Sequence, residues 1–252
     1  MNFMQPRFLF LAFMITITLS LNAQFAKGDR MVGTSIGSVN INSGSSDVTF
    51  PSFNGYETKS SGFDLRLIPT IGWFISEKTA IGGSLNINPS GQKVSYMVNS
   101  TTFQQDKSNS FNIGLGAFAR NYFSANNSFM PYGQFGFNLG ISSQNTEGFL
   151  YTGTAPNADK ETYDGKSSGG FFANASLQLG LTKMVGETTG LEIFAGYIYS
   201  YNKNTFKTTT QVDFGNNGSI DNTEVNEPTT KFTNHGFIIG VGFQIFLVAK
   251  KK

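Results

Sequence analysis

The sequence contains no cysteine and one histidine, His235. Without cysteine there can be no disulfide framework, no thiolate metal site and no lipid anchor on an N-terminal cysteine. A single histidine also argues against a dedicated transition-metal site, so we expect no metal and no other cofactor. Charged residues make up only 13% of the chain, about half of the roughly 25% that is usual in soluble domains. A water-soluble surface is therefore not expected.

The chain also lacks a strong excess of either charge. Its formal net charge is +2, and the only dense basic run is the last three residues, Lys250, Lys251 and Lys252. A nucleic-acid partner is not indicated, because such proteins carry basic patches. Glycine and phenylalanine are abundant instead, with 29 and 26 residues.

Long apolar runs are missing apart from one near the N-terminus. Arg7 is followed by an apolar run from Phe8 to Leu21, which is shorter than the roughly 20 residues that a spanning helix needs. This pattern is typical of a secretory signal peptide. We therefore predict a signal peptide over residues 1–23, ending at Ala23, and one exported domain over residues 24–252.

After residue 24, apolar and non-apolar residues alternate with a period of two in eight segments. The alternation is clearest from Phe63 onward, where every second residue up to Trp73 is apolar or proline. Each segment has about the 9 to 11 residues that a tilted strand needs to cross a bilayer. The sequence predicts an all-β fold, an eight-stranded antiparallel up-and-down transmembrane β-barrel.

The links between these segments alternate between short and long. Short links lie at residues 76–78, 124–128 and 185–189, and long polar links at residues 43–59, 89–107, 143–166 and 202–230. Transmembrane barrels have short turns on the periplasmic side and long loops on the outside. In a compact soluble domain, four such loops would argue against the strand assignment.

The positions of the charges indicate which face meets lipid, because a Lys or Arg facing lipid at mid-membrane costs about 2 to 4 kcal/mol. The apolar rows are predicted to face lipid, and their representatives are Leu65, Trp73, Phe135, Leu179 and Phe243. Four charged residues lie in the opposite rows and are predicted to form an interior polar network: Asp64, Arg66, Arg120 and Glu192. A soluble lipocalin-like barrel would reverse the two faces, but the second face is mostly glycine, serine and asparagine and lacks surface Lys and Glu.

The signal peptide, the eight alternating strands and the alternating links together resemble the small outer-membrane β-barrel family of the OmpA/OmpX type. The last strand, residues 236–246 with Phe243, Ile245 and Phe246 near its end, is similar to the aromatic-terminated final strand that the assembly machinery of this family reads. The resemblance implies export to the outer membrane of a Gram-negative bacterium. It also implies contact with outer-membrane lipid, lipopolysaccharide and the assembly machinery.

Two motifs with possible chemistry have simpler interpretations. Gly114, Gly116 and Ala119 match the outline of a dinucleotide-binding turn, but the alternation continues through them and no helix follows. His235 lies at the outer end of the last strand without an H-x-S arrangement, which favours an interfacial polar residue over a catalytic base. No catalytic residue is predicted.

The long links are where a specific function is expected. Alternation at Val94, Tyr96 and Val98 and from Phe206 to Phe214 suggests that some strands extend beyond the membrane, with open edges that could bind a partner by strand addition. Aromatic residues that we expect to be exposed in the third long link are Phe149, Tyr151 and Tyr163.

An eight-stranded barrel has an interior that side chains can fill, so poor conduction is expected. The sequence favours a non-enzymatic outer-membrane barrel with a structural or surface-interaction role, binding a ligand or adhering through its loops. The alternatives are a narrow porin-like channel for ions or small solutes and a lipid-modifying enzyme.

Overall fold

The computed structural model describes residues 25–50, 53–124, 129–153 and 158–248. Residues 1–23, the predicted signal peptide, lie outside this part of the chain. Within it the chain forms nine strands and one short 3-10 helix, Phe214–Asn216. The strands are β1 Arg30–Phe50, β2 Phe53–Phe74, β3 Thr79–Val98, β4 Thr101–Tyr122, β5 Phe129–Thr152, β6 Asp159–Met184, β7 Thr189–Asp213, β8 Asn222–Asn226 and β9 Thr229–Leu247.

Eight of these strands close into a ring. Each of β1 to β6 pairs antiparallel with the next strand in sequence. The ring is completed because β9 pairs with both β7 and β1. The predicted up-and-down barrel is thereby confirmed. The ninth strand, β8, lies in the last long link and pairs only with β7, where Val212 is opposite Asn222.

The two ends of the barrel differ in their connections. At one end, which we call the turn end, the links are short: Ile75 N donates to Thr79 O at 2.9 Å, and Val185 N donates to Thr189 O at 2.9 Å. At the other end, the loop end, the β3–β4 hairpin closes through Asn99 and Ser100, whose φ angles are 48° and 66°. Two consecutive positive φ angles are what a tight type I′ hairpin turn requires.

The long links at the loop end are mostly strand, which corrects the expectation of structureless loops. The strands have 19 to 26 residues apart from β8, whereas about 9 to 11 cross a bilayer. The proposed extension of the strands around Val94 and Phe206 is therefore confirmed. Most residues of these segments are polar on both faces, so the alternation is weak in the sequence, but backbone pairing does not require it. We call this part of the barrel the loop-end extension.

Exposure alternates along the strands as the two predicted faces require. On β7, Leu191 and Ile193 are 52% and 56% exposed, while Glu192 and Phe194 between them are 4% and 3% exposed. The outward face of the ring is thus apolar over its turn-end half, and the inward face holds the buried residues. An apolar belt of this kind is costly in water and matches the hydrocarbon core of a bilayer.

The barrel wall has a seam between β1 and β9. Their pairing runs from Arg30 opposite Leu247 to Ile36 opposite Val241. Beyond Ile36 in the described residues, β1 pairs only with β2, and β9 pairs only with β7. The loop-end extension therefore has two strand edges whose backbone groups are not paired with each other.

Candidate functional site

A buried ion pair lies across the lumen near the turn end. Arg120 Nη1 is 2.5 Å from Glu192 Oε1, and Nη2 donates to Oε2 at 3.2 Å. The Glu192 carboxylate also accepts hydrogen bonds from Thr182 Oγ1 at 3.0 Å, Gln244 Nε2 at 3.3 Å and Tyr132 Oη at 3.4 Å. A buried charge pair is tolerated only when its remaining donors and acceptors are satisfied in this way.

Arg120 is held by further partners. Its Nε donates to Gln134 Oε1 at 2.7 Å, its Nη1 donates to Tyr122 Oη at 3.1 Å, and its guanidinium lies 4.0 Å from the centre of the Tyr132 ring. The side chains of Arg120 and Glu192 are 3% and 0% exposed. The pair and its hydrogen-bond partners lie on β4, β5, β6, β7 and β9. This network therefore connects five strands across the lumen.

A layer of aromatic rings lies next to this pair and closes the turn end. The centre of the Phe25 ring is 4.2 Å from that of Phe74 and 4.8 Å from that of Phe246. Tyr122 lies 5.9 Å from Phe74 and 5.7 Å from Tyr132. We call these five aromatic residues, together with Arg120 and Glu192, the turn-end plug.

Inward-facing glycines make room for large rings. A Cβ atom at Gly180 would overlap the Tyr132 ring, and one at Gly240 would overlap the Phe194 ring. This accounts for the abundance of glycine on the face that also carries the largest buried side chains. The same reasoning applies to Gly114, which faces Phe172, and β4 continues unbroken from Thr101 to Tyr122. No dinucleotide-binding turn exists there.

The other two charges predicted for the interior lie elsewhere. Asp64 and Arg66 are in the middle of β2, whereas Arg120 and Glu192 are near the turn end. Asp64 accepts a hydrogen bond from Asn88 Nδ2 at 3.0 Å, and Asn88 Oδ1 accepts one from Asn112 Nδ2 at 3.1 Å. The structure thus brings Arg120 and Glu192 together and places Asp64 in a second polar group, with Arg66 two residues further along β2.

The residues predicted to face lipid lie on the outward face. Trp73, Phe135, Leu179 and Phe243 are all exposed, and Leu65 is half-buried. They share this face with the other exposed apolar residues of the ring.

Between the plug and the loop end, the lumen is lined by amides and hydroxyls. Asn138 Nδ2 donates to Asn174 Oδ1 at 2.9 Å, and Ser84 Oγ donates to Asn138 Oδ1 at 3.1 Å. The sequence indicated that this face is polar but could not show that three strands are joined by one chain of hydrogen bonds.

Inside the loop-end extension, Tyr163 Oη donates a hydrogen bond to Asp106. Burial raises the pKa of Tyr163, which lies outside the membrane-spanning part, and the bond to Asp106 adds to this effect. Tyr163 was expected to be an exposed loop residue and is half-buried instead. The reason is a bulge in β6 between Ser167 and Gly169, which reverses the alternation before it.

His235 lies exposed on β9. Its ring centre is 6.0 Å from that of Tyr197, and it is directly opposite Tyr199 in the sheet. Among the described residues, no group of three or more His, Cys, Asp or Glu side chains could hold a metal ion. No helix in the described part of the chain is long and apolar enough to span a bilayer.

The closed ring, the apolar outward face and the polar, aromatic-filled inward face define a transmembrane β-barrel of the outer-membrane type. No family model matches this chain, and no curated protein matches it. The resemblance to the OmpA/OmpX type thus remains one of pattern.

Three similar solved structures are outer-membrane proteins. The outer membrane protein OprG from Pseudomonas aeruginosa is 16% identical, with a TM-score of 0.38, and the match covers 90% of this chain and 100% of that chain. The outer membrane protease OmpT from Escherichia coli is 9% identical, with a TM-score of 0.34 and coverage of 90% and 99%. An outer membrane channel from Pseudomonas putida F1 is 9% identical, with a TM-score of 0.26 and coverage of 91% and 100%. All these scores are below 0.5, so no function is carried over to this chain.

Proposed function

We propose that this protein resides in the outer membrane of a Gram-negative bacterium and acts at the cell surface by presenting the loop-end extension to a ligand or partner. In this proposal it is neither a conduit nor an enzyme. The observation that carries it is the continuation of the ring strands about ten residues beyond the length needed to cross a bilayer.

The turn-end plug supports a non-conducting role. Its side chains are 0% to 5% exposed, and they fill the lumen at the turn end. This end faces the periplasm if the short turns lie on the periplasmic side, as in other transmembrane barrels. A solute that entered from outside would have to displace a hydrogen-bonded ion pair and a layer of packed rings. Both are expensive to disturb in a close-packed interior.

The unpaired edges support a role in binding. From the end of the seam at Ile36 and Val241 toward the loop end, β1 and β9 each pair on one side only in the described residues. An exposed edge offers backbone donors and acceptors to an added strand. A partner with an extended segment could therefore extend the sheet at either edge.

His235 does not favour the enzyme alternative. Its side chain is on the outward face beside Tyr197, and no hydrogen bond joins it to a described hydroxyl or carboxylate group. A general base must lie within reach of the proton that it takes.

A narrow channel is the second candidate, because the lumen between the plug and the loop end is polar, with buried Asn86, Asn138 and Asn174.

The proposal is tested by shortening the extension. Asn42 of β1 lies directly opposite Gly62 of β2, so residues 43–61, which include the outer part of the open β1 edge, can be replaced by an Asn-Gly turn without changing the register. We expect the shortened chain to give the same folded band on unboiled gels, and cells that produce it to lose the aggregation or attachment that the full chain confers. Equal attachment by both chains would contradict a binding role for the extension. Steady openings of the full chain in planar bilayers would favour the channel.

A further inference from the structure

We propose that four outward-facing lysines, Lys166, Lys203, Lys207 and Lys231, form a binding site for the phosphate groups of outer-leaflet lipid, lipopolysaccharide in particular. We call them the lysine belt. This inference rests on the proposed outer-membrane location and names a partner for the outward face, which is distinct from the strand edges discussed above.

The belt consists of two pairs of like charges on adjacent strands. Lys166 of β6 is directly opposite Lys207 of β7. Lys203 of β7 is directly opposite Lys231 of β9. Residues directly opposite each other in an antiparallel pair point to the same face, with their Cβ atoms about 4.5 to 5.5 Å apart. Each pair therefore places two ammonium groups side by side.

All four lysines point away from the lumen. Each is exposed, whereas Gly165 before Lys166 and Asn204 after Lys203 are buried. Lys207 is four residues after Lys203 and shares its face. Lys231 is in the same alternate row as the exposed Phe237 and Ile239. The four charges thus form one patch across β6, β7 and β9.

Within the described part of the chain, none of these four charges forms a salt bridge. No described carboxylate oxygen is within 4.0 Å of their Nζ atoms, whereas Lys59 pairs with Glu57 at 3.3 Å and Lys107 pairs with Glu147 at 2.8 Å. Like charges directly opposite each other destabilise a sheet. A polyanion between each pair would remove this repulsion.

The position of the belt next to the apolar part of the outward face favours a lipid as the source of the anion. Lys203 lies directly opposite Phe171, an exposed apolar residue of the outward face. Lys207 is four residues further along β7, or about 13 Å along the strand. The belt therefore occupies the layer just above the hydrocarbon, where lipid phosphates lie. A lipid with its acyl chains on the apolar face would place its phosphates among these lysines.

Glu227 follows β8 and lies beside Lys207 without a salt bridge to it, and the other acidic residues near the belt are one step further out. Glu147 and Asp164 are directly opposite each other, and Glu147 is bonded to Lys107. The charge of the outward face thus changes from mainly cationic near the hydrocarbon to mixed beyond it. An anionic layer at a fixed height fits this order.

The test uses the refolded full-domain chain in non-ionic detergent, with phosphorylated lipid A as the probe. The variant Lys166→Gln, Lys203→Gln, Lys207→Gln, Lys231→Gln should bind it at least about 30-fold more weakly, because each lysine near an anionic surface contributes about fivefold and at least two act together. The matched control removes four lysines that lie away from the belt, three of them at the turn end: Lys27→Gln, Lys59→Gln, Lys78→Gln, Lys183→Gln. The control should bind within about twofold of the parent chain, since Coulomb attraction falls with distance.

Two further arms identify the ligand. Lipid A from which the phosphates have been removed should bind the parent chain no better than it binds the belt variant. Inorganic phosphate at millimolar concentration should not displace phosphorylated lipid A. Equal binding by the belt variant, equal losses in the two variants, or tight binding of dephosphorylated lipid A would overturn the proposal, and full displacement by inorganic phosphate would indicate a site for soluble anions instead. None of these outcomes depends on cell attachment or conduction. This inference can therefore fail while the proposed surface role still holds.

Discussion

Arg120 and Glu192 are 72 residues apart in sequence, and their side chains form a two-pronged ion pair across the lumen. Because the pair is buried, it depends on its partners more than a surface salt bridge does. It joins a strand from each half of the chain at the level of the aromatic layer. The stability of the ring and the closure of its turn end therefore depend on the same residues.

Removing one member of the pair should destabilise the barrel strongly. Arg120→Ala leaves the Glu192 carboxylate buried without its cation, which costs about 3 to 5 kcal/mol. The folded band on unboiled gels should disappear at a clearly lower temperature than for the parent chain. The double variant Arg120→Met, Glu192→Leu should recover much of the loss, since it leaves no charge unpaired. An unchanged transition for Arg120→Ala would show that the pair does not stabilise the fold.

The fit of rings against glycine gives a second prediction. A methyl group at Gly240 would overlap the Phe194 ring and lie 2.6 Å from the Ile36 carbonyl oxygen, whereas a methyl group at Gly236 on the same strand would have no neighbour within 4 Å. Gly240→Ala should cost about 1 to 3 kcal/mol of stability through overpacking. Gly236→Ala should leave the denaturation midpoint nearly unchanged. Equal midpoints for the two variants would mean that Phe194 does not fill the lumen at this level.

Closure of the turn end gives a third prediction. The parent chain should show no steady openings in planar bilayers, because the turn-end plug fills its lumen. Truncating two plug rings together, Tyr122→Ala and Phe246→Ala, should produce openings of uniform size in the fraction that still gives a folded band. The matched control, Phe135→Ala and Phe243→Ala, removes two rings from the outward face and should stay silent. Uniform openings in the parent chain would contradict a closed lumen.

The sequence predicted the ring where the two faces of a strand differ in chemistry. The membrane half of β7 shows this, since Leu191 and Ile193 must face lipid and Glu192 must not. The loop-end extension could not be predicted as reliably, because a strand in water on both sides needs no alternation. Val94 and Phe206 were weak signals of it.

The contacts between side chains across the lumen could not be predicted from the sequence either. Alternation shows that Arg120 and Glu192 point inward, but the meeting of two strands across a barrel depends on its shear and tilt. The same limit applied to Asp64, whose hydrogen-bond partner Asn88 is on the neighbouring strand. Tyr163 was expected to be an exposed link residue, and the bulge in β6 that helps to turn it inward leaves no mark in the sequence.

The central claim is that the row containing Leu179 faces hydrocarbon. The chain has a single tryptophan, Trp73, so the variant Trp73→Phe, Leu179→Trp carries one fluorescent reporter in the middle of that face. In vesicles of lipids brominated along their acyl chains, its emission should be strongly quenched, and aqueous iodide should have little effect. Strong quenching by iodide with none by brominated lipid would place this row in water and contradict the membrane orientation described above.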